Sequence, residues 1–316
     1  MSRHVVVGAG PVGSAVVREL VARGVTDVVL LSRSGRGPEI PGVDRVALDA
    51  ADAGGLTRVS EGAVALYNCV NPPSYDVWSA WWPPVADAFL AAAEATGAVL
   101  ATASCLYAYG EVAAPMTEDS PDASTGAKGR LRAAMWAEAR AAHEAGRLRA
   151  VEVRGSDYVG PGVTMSHLAV VAPAALAGKQ VRVFGATDQP HTYTDVRDMA
   201  RTLVEVAGRP ETHGRVWHAP SAAPRTQAQA VTDLCAAAGR PPVRVRTWPR
   251  AMLTVGGIAV PFLREMRETV HQFERPYVME SGAAQRVLGL EPTPWADSCA
   301  AMVVTAAGGE VPVVPV

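Results

Sequence analysis

The sequence predicts an α/β protein whose core is a doubly wound parallel β-sheet. Three observations lead to this fold class. The first 155 residues alternate short β-branched runs with helical stretches, a glycine-rich turn joins the first strand to the first helix, and the alternation loosens after Gly155. Strands that alternate with helices form right-handed crossover units, which place helices on both faces of a parallel sheet. The looser second part predicts a small C-terminal lobe over the open edge of that sheet.

The elements follow in chain order. The first part predicts strands over residues 4–7, 27–31, 43–48, 63–70, 98–104 and 148–154, and helices over 11–23, 53–60, 76–96 and 127–145. The second part predicts short strands over 181–184 and 216–218, and helices over 195–207 and 226–238 that begin at N-cap residues. We therefore expect one domain over 1–162 and 190–220, with the lobe over 163–189 and 221–316.

Composition narrows the class of protein. The 316 residues carry 29 Lys and Arg against 31 Asp and Glu, a net charge of −2, and 49% of them are hydrophobic. This is enough apolar side chain for a sizeable core. The near-neutral balance provides no electrostatic footprint for nucleic acid or for an anionic membrane. No apolar run reaches the roughly 18 residues that span a bilayer.

The cysteine and histidine patterns argue against metal and disulfide sites. The four cysteines, Cys69, Cys105, Cys235 and Cys299, lack CxxC spacing, and the histidines lack the spacings of common metal motifs. The first residues run straight into a strand without a charged leader and cleavage site. These features predict a cytoplasmic protein without a metal ion.

The glycine-rich turn has the sequence Gly8-Ala9-Gly10-Pro11-Val12-Gly13. In a GxGxxG turn between a strand and a helix, the first glycine permits the tight turn and the second lets backbone approach a pyrophosphate. The third lets helix and strand pack closely, and the helix N-terminus attracts the phosphates. The turn therefore predicts a dinucleotide-binding Rossmann domain. The alternative is a plain strand–turn–helix with accidental glycines.

The end of the second strand bears on which dinucleotide binds. An NAD site usually has an acidic residue there for the ribose 2′-hydroxyl. Here the chain reads Ser32-Arg33-Ser34-Gly35-Arg36, and a guanidinium matches a 2′-phosphate. We therefore expect NADP rather than NAD, with Arg33 as the leading contact, unless both arginines are simply solvated. Asp49, after the third strand, is expected either to accept from the adenine amino group or to cap the following helix.

Several motifs beyond the glycine turn carry a family resemblance. They are residues 103–110 (ASCLYAYG), residues 154–162 (RGSDYVGPG), residues 193–200 (YTDVRDMA) and residues 216–220 (VWHAP). Together with the turn, they resemble the extended branch of the short-chain dehydrogenase/reductase superfamily, the NAD-dependent epimerases and dehydratases. The resemblance covers most of the chain. It implies a Rossmann fold, a nicotinamide dinucleotide and an enzyme.

The chain departs from this family at its catalytic motif, Tyr-x-x-x-Lys. The resemblance implies that Lys128 holds the nicotinamide ribose, but Ser124 stands where the family has its tyrosine. The neighbouring Thr125 is no substitute, because an unassisted hydroxyl is a poor acid near pH 7. The glycine turn is also one residue shorter than the family's usual form. Both features would place the chain among the atypical members of this family.

Counting along the family's motif suggests replacements for the missing phenol. The family's epimerases have a catalytic Ser or Thr at the position of Cys105, and its sugar dehydratases have an acid/base pair at the next two positions. Tyr107 would then face the nicotinamide and exchange the proton, with Lys128 stabilising its phenolate. The alternatives are that Tyr107 is a pocket wall and that Cys105 is a small buried thiol.

The resemblance implies further contacts. Asn71 follows the fourth strand, where the family's backbone passes the adenosine ribose, and Tyr158 lies in the segment after the sixth strand. The aromatic run over 78–82 lies where family dimers often pack, so it predicts core, a homodimer interface or a substrate wall. His191 and His218 are structural or substrate-facing. The residues expected to line a pocket are Phe273, Tyr277 and Met279.

These expectations add up to an NADP-dependent reductase or epimerase that acts on a small carbonyl or hydroxyl compound. Lys128 would hold the ribose and Tyr107 would move the proton. Two alternatives remain open because the usual tyrosine is missing. One is a non-redox enzyme on the same fold, and the other is a regulatory module that binds NADP(H) without turnover.

Overall fold

The computed structural model describes residues 2–309. The strands are β1 (Arg3–Val7), β2 (Asp27–Ser32), β3 (Val43–Ala47), β4 (Ala63–Asn68), β5 (Val99–Cys105), β6 (Arg149–Gly155), β7 (Asp157–Val159), β8 (Val181–Val183), β9 (Tyr193–Asp195), β10 (Val216–His218) and β11 (Val245–Thr247). The helices are α1 (Pro11–Ala22), α2 (Ala53–Val59), α3 (Trp78–Thr96), α4 (Ala127–Glu144), α5 (His167–Leu176), α6 (Val196–Gly208), α7 (Gln227–Ala237), α8 (Arg250–Ala259), α9 (Pro261–Thr269), α10 (His271–Glu274), α11 (Gly282–Leu288) and α12 (Trp295–Ala306).

Seven parallel strands form the central sheet in the order β3-β2-β1-β4-β5-β6-β10. The chain runs outward from β1 through β2 and β3, and then returns to the other side of β1 with β4. Ligands bind outside the carboxyl ends of the strands at such a reversal. The predicted fold class, a doubly wound α/β sheet, is confirmed.

The alternation of side chains along β1 explains the two faces of the sheet. Val5 and Val7 belong to an apolar cluster that includes residues of α2, α3 and α4, whereas Val6 belongs to one that includes residues of α1, α6 and α11. All three valines are buried. Strands that are buried on both faces read as continuous apolar runs, as this one does.

The C-terminal part builds its own smaller core and also returns to the sheet. Helices α5, α7 and α12 share an apolar cluster that includes Leu168, Leu234 and Met302. The short helix α11 instead packs against α6 through Ala284 and Leu288. The predicted domain boundaries therefore stay a prediction, with part of 221–316 attached to the sheet layer.

Helices α8 and α9 lie together near the carboxyl edge of the sheet. Their apolar contact with the rest of the chain is a small cluster of Leu253, Met266 and Val270, which packs against Tyr75 and other partly buried residues. Tyr75 belongs to a 3₁₀ turn, Tyr75–Val77, that immediately precedes α3. The predicted helix over 76–96 therefore begins later, at Trp78. In the described part of the chain, no helix has both the length and the hydropathy to cross a membrane.

Candidate functional site

The glycine turn has the geometry that its sequence predicts. Gly8 has φ +107°, and a Cβ there would lie 2.6 Å from the carbonyl oxygen of Cys69. A Cβ on Gly13 would overlap the Gly8 carbonyl oxygen. Both positions therefore require glycine, one for the turn and one for the close packing of α1 on β1. A Cβ on Gly10 would meet nothing within 4 Å, which leaves open space beside the turn.

The open space lies at the N-terminus of α1. Gly10 is the N-cap residue, without a side-chain cap, and Pro11 occupies the first helical position. The Ser14 N–H is the first to bond back into the turn, to the Gly10 carbonyl. The N–H groups of Val12 and Gly13 precede it and have no partner within the helix. These residues fit a dinucleotide, because the turn combines room for a pyrophosphate with free N–H donors.

The loop after β2 lies against the glycine turn. A Cβ on Gly37 would lie 3.2 Å from the Cβ of Ala9, and the loop is tied by a 2.7 Å hydrogen bond from Ser32 Oγ to the Arg36 carbonyl. The side chains of Arg33 and Arg36 are exposed. Within residues 2–309, neither guanidinium has an ion pair. Both are therefore free to meet a phosphate, and the preference for NADP stays a prediction.

Asp49 and Asn71 lie at the ends of β3 and β4. Asp49 Oδ1 accepts a 3.0 Å hydrogen bond from the Ala51 N–H, whereas Asp52 caps α2 by accepting from the Gly55 N–H at 2.9 Å. The alternative that Asp49 caps this helix is therefore wrong. Asn71 is exposed beyond β4. The adenine contact of Asp49 and the ribose contact of Asn71 stay predictions.

Tyr107 is part of a half-buried pair of phenols. It lies in the 3₁₀ segment Leu106–Tyr109 that follows β5, and its hydroxyl is 2.6 Å from the hydroxyl of Tyr75. Its ring stacks on Trp78, with 5.9 Å between the centroids. Burial raises the pKa of Tyr107 well above 10 and that of Tyr75 to about 12. Both phenols therefore stay protonated at neutral pH and can donate a proton or a hydrogen bond.

Lys128 is buried near the start of α4 and is bound by two carboxylates. Its Nζ donates to Glu265 Oε2 at 2.7 Å and to Glu268 Oε2 at 3.0 Å. Nζ also lies 5.2 Å from the centroid of the Tyr75 ring. The structure does not pair Lys128 with Tyr107, as the sequence analysis expected for a stabilised phenolate. Lys128 pairs with two glutamates of α9, and Tyr107 pairs with Tyr75. Both side chains contact Tyr75, Lys128 over its ring and Tyr107 at its hydroxyl.

Glu268 contacts α4 twice. Its Oε1 accepts a 2.7 Å hydrogen bond from the backbone N–H of Lys128, in addition to the contact with Nζ. Gly126, the N-cap residue of α4, makes this approach possible, because a Cβ there would overlap Glu268 Oε1. Glu268 thus caps α4 from a distant segment, which is favourable at the positive end of a helix.

A cavity of about 230 Å³ opens between the 3₁₀ segment, the start of α4 and the α9–α10 region. Its lining includes Tyr107, Ser124, Lys128, Glu268, His271 and Gln272. The buried Nε2 atoms of His271 and Gln272 have no hydrogen-bond partner. Buried polar groups are rarely left unpaired, so these atoms indicate a place for a polar ligand or water. Ser124, the substitute for the family's tyrosine, faces this cavity.

Cys105 ends β5, and Tyr158 lies in β7, which follows β6. Burial raises the pKa of the Cys105 thiol, so the thiol stays protonated and is a poor nucleophile. The half-buried thiol therefore fits a small packing residue better than a nucleophile. The Tyr158 hydroxyl donates to the Ser104 carbonyl at 2.7 Å, and its ring covers Gly155. The cofactor contact of Tyr158 stays a prediction.

The sequence did not single out Tyr75, Arg132, Glu265 or Glu268. Arg132 lies one turn after Lys128, and its guanidinium is 3.9 Å from the Trp82 ring centroid and 5.0 Å from that of Trp78. Both tryptophans are buried in the core. Lys128 and Arg132 are four residues apart, so both cations lie on one face of α4. The aromatic run over 78–82 was the sequence feature that could have indicated a cation packed against it. Nothing in the sequence indicates that α9 reaches α4.

His191 and His218, which the sequence analysis singled out, are buried and hydrogen-bonded. His218 shares a 2.7 Å hydrogen bond with the Tyr109 hydroxyl, and its Nδ1 lies 2.6 Å from the Glu280 carbonyl. His191 Nδ1 lies 3.1 Å from the Gln272 carbonyl. Burial lowers the pKa of each to about 4. Both therefore stay neutral at pH 7, as structural histidines do.

Comparison with known proteins confirms the family resemblance. The model of the NAD dependent epimerase/dehydratase family matches residues 4–219. No curated protein sequence matches the chain significantly. A family described as NAD dependent implies an enzyme and a nicotinamide dinucleotide, as the sequence predicts.

Solved structures of similar fold cover nearly the whole chain. The dTDP-glucose 4,6-dehydratase from Streptomyces venezuelae, with NAD bound, has a TM-score of 0.76 at 21% identity and 95% coverage of each chain. The UDP-glucose 4-epimerase from Thermotoga maritima, with UDP-glucose, has a TM-score of 0.77 at 18% identity, covering 96% of this chain and 97% of that one. The UDP-glucuronic acid 4-epimerase from Bacillus cereus, with NAD, has a TM-score of 0.77 at 15% identity, covering 97% and 99%. At these identities the likeness supports the fold.

Proposed function

The chain belongs to the NAD dependent epimerase/dehydratase family, and we propose that it is a reductase or epimerase that uses NADP and acts on a small carbonyl or hydroxyl compound. One observation carries the proposal. The glycine turn, with its open space at Gly10, lies at the same carboxyl edge of the sheet as the Tyr107 phenol and the 230 Å³ cavity. A dinucleotide on the turn and a substrate in the cavity could then meet at that edge.

Different residues of the chain would bind different parts of the dinucleotide. Gly8, Gly10 and Gly13 shape the pyrophosphate site, and Arg33 and Arg36 are available for a 2′-phosphate. By family resemblance, Lys128 binds the nicotinamide ribose with the donor that Glu265 and Glu268 leave free, since an ammonium has three. When bound, the nicotinamide supplies or accepts hydride at the substrate carbon.

Tyr107 serves best as an acid in this arrangement. A phenol is protonated at neutral pH and can donate to a carbonyl oxygen as that oxygen gains negative charge, whereas burial raises the pKa of Tyr107 and so disfavours the phenolate that a base would need. Tyr75 is 2.6 Å away and can replace the proton that Tyr107 gives up. This role differs from that of a phenolate base, which would need a cation at its oxygen.

The cavity supports a small substrate. About 230 Å³ is below the range of roughly 300–1,000 Å³ that is usual for pockets holding drug-sized ligands. Its lining mixes Lys128 and Arg267 with Glu111 and Glu268, so it offers no clear excess of positive charge for a diphosphate. The unpaired Gln272 Nε2 is a donor that suits a carbonyl or hydroxyl oxygen. His271 donates from Nδ1 to the Glu268 carbonyl at 2.9 Å, so its unpaired Nε2 is an acceptor that suits a hydroxyl. The structural neighbours named above are enzymes of UDP- and dTDP-sugars, which are larger and charged.

The deciding experiment has two parts. Calorimetric titration with NADP and NAD measures nucleotide binding, and nicotinamide absorbance is then followed with a panel of small ketones, hydroxyketones and free sugars, beside UDP-glucose and dTDP-glucose. The proposal expects substrate-dependent absorbance change, or epimerised product, with small compounds. Turnover of the sugar nucleotides alone would contradict the small-substrate proposal.

A second candidate function is nucleotide binding without turnover. It is favoured by the fact that the structure pairs both side chains with other residues of the chain, Lys128 with two carboxylates and Tyr107 with Tyr75. Nucleotide binding without turnover of any compound in the panel would support this candidate. Product formation without any participation of the nicotinamide would instead support a non-redox enzyme.

A further inference from the structure

Two glutamates and two basic residues form a neutral group beside the cavity of about 230 Å³. Lys128 is bound by Glu265 at 2.7 Å and by Glu268 at 3.0 Å. Glu265 also pairs with Arg264 at 3.5 Å. When all four side chains are charged, their formal sum is zero. This group therefore leaves no excess charge for a ligand in the cavity.

Arg267 is the charged residue of the cavity lining that has no ion pair within residues 2–309. Glu111, which also lines the cavity, pairs with Arg275 at 2.9 Å. The Arg267 side chain is exposed, so a ligand from solution can reach its guanidinium. Once the ion pairs of this part of the chain are counted, the lining offers one unpaired positive charge, and it lies on Arg267.

Helical spacing places Arg267 beside His271. Arg267 lies on α9 and His271 begins α10, and Val270 between the two helices has the helical angles φ −63° and ψ −23°. Residues four apart on a helix are neighbours, with about 5–6 Å between their Cβ atoms. Both side chains line the cavity. A small ligand there can therefore contact both residues at once.

The wall beside Arg267 also has an unpaired acceptor and an unpaired donor. His271 Nδ1 donates to the Glu268 carbonyl at 2.9 Å, which leaves Nε2 as a buried acceptor without a partner. Gln272 Nε2 is a buried donor without a partner, on a residue that is 7% exposed. Buried polar atoms are rarely left unpaired. The acceptor suits a hydroxyl group, and the donor suits a carboxylate or carbonyl oxygen.

We propose that the cavity binds a small hydroxycarboxylate, with Arg267 as the contact for the carboxylate and His271 as the acceptor for the hydroxyl. The inference rests on the proposed function and narrows its substrate class to compounds that also carry a carboxylate. A guanidinium matches a carboxylate with two parallel hydrogen bonds. One unpaired positive charge balances one carboxylate, whereas a phosphate ester carries about −1.5 to −2 at pH 7. Arg267 and His271 are thus specificity-determining residues.

Compounds that differ in one group separate the two contacts. Lactate and propane-1,2-diol differ at the carboxylate, and lactate and propionate differ at the hydroxyl. Glycerate and glycerol repeat the first comparison with one more hydroxyl. Ligand-observed NMR measures the binding of each compound to the full-length chain with NADP present, so the result does not depend on turnover. We expect lactate to bind about tenfold more tightly than propane-1,2-diol and severalfold more tightly than propionate.

Variants assign each contact to a residue. Arg267→Gln should weaken lactate binding about tenfold and leave the affinity for propane-1,2-diol unchanged, whereas Arg267→Lys should keep part of the preference. His271→Phe should remove the preference for lactate over propionate, because phenylalanine keeps an aromatic ring without an acceptor. Arg246→Gln is the control, since Arg246 is exposed on β11 and does not line the cavity. Thermal unfolding checks that each variant stays folded.

The outcomes separate this inference from the function on which it rests. Equal affinities for lactate and propane-1,2-diol, an equal loss for both in Arg267→Gln, or no binding of lactate and glycerate would overturn the carboxylate site. Tighter binding of glycerol 3-phosphate than of glycerate would also overturn it, in favour of a phosphate site. The proposed function survives each of these results if neutral compounds are turned over. If lactate or glycerate binds as expected but no compound is turned over, the proposed function fails and the carboxylate site stands.

Discussion

The glycine turn and the region around Tyr107 lie at one edge of the sheet but are built in different ways. The turn needs only contiguous residues, Gly8 to Gly13, together with the strand and helix that they connect. The region around Tyr107 joins side chains from four separate segments, at Tyr75, Tyr107, Lys128 and Glu268. The comparison shows that a binding site can be local in sequence while the chemistry beside it is assembled by tertiary contacts.

The largest expected effect comes from a substitution in the glycine turn. Gly10→Val should abolish dinucleotide binding, with a loss of about 10³-fold or more, because the side chain would fill the space that the pyrophosphate needs. Calorimetric titration measures the loss, and circular dichroism checks the fold. Gly208→Val is the control, since a Cβ there also meets nothing within 4 Å. Native affinity in a folded Gly10→Val protein would rule out the turn as the phosphate site.

Acid should lower the stability of the fold through His218, which lies beside the region around Tyr107. His218 ties Tyr109, in the same 3₁₀ segment as Tyr107, to the Glu280 carbonyl, and burial lowers its pKa to about 4. Its pKa in the unfolded chain is about 6.5. The unfolded state therefore binds more protons between these values, so stability is lost as the pH falls from about 6.5 towards 4. This one group should remove about 3 kcal/mol by pH 4.

Urea denaturation at pH 7 and pH 4 measures this loss. His143→Gln, at the end of α4, is the control for a histidine in a less buried position. His218→Gln should flatten the slope of stability against pH, and His143→Gln shows how much of the change follows from losing any imidazole. A wild-type stability that does not change between pH 7 and pH 4 would contradict the explanation.

Removing the Tyr107 phenol separates chemistry from binding. Tyr107→Phe should lower turnover about 10²-fold, the usual scale of general acid–base catalysis, while dinucleotide affinity stays nearly the same. Tyr75→Phe should have a smaller effect of about tenfold, because Tyr107 keeps its own proton. Steady-state kinetics on the substrate found in the panel provides the measurement.

Tyr67→Phe is the matched control for the phenol variants. Tyr67 is buried in the sheet, and its hydroxyl bonds to His4 Nδ1 at 3.1 Å. The variant should keep its turnover. Full activity in Tyr107→Phe would show that another group supplies the proton.

The smallest expected effect concerns Arg33, in the loop beside the glycine turn. Arg33→Ala should reduce NADP affinity about ten- to hundredfold, the scale of one charge-assisted contact to phosphate, and leave NAD affinity almost unchanged. Arg58→Ala, an exposed arginine on α2, serves as the control. A wild type that binds NAD as tightly as NADP would contradict the preference.

Much of the fold could be predicted because its signals are short-range. Short β-branched and apolar runs predicted strands such as Arg3–Val7 and Val99–Cys105 to within two residues, since strands buried on both faces read as continuous apolar runs. The segments after Gly155 were harder to assign. Helices α8 to α10 were not assigned individually from the sequence, and their position depends on a small apolar cluster with Tyr75.

The sequence by itself determined the glycine turn, the parallel sheet and the family, because each depends on residues that are close in the chain. Only the tertiary structure decided what surrounds Lys128 and Tyr107. Glu268 reaches α4 from 140 residues away, and Tyr75 reaches Tyr107 from 32. No local propensity encodes such contacts, since they form only when packing of the lobe on the sheet brings buried polar groups to the same place and requires them to pair.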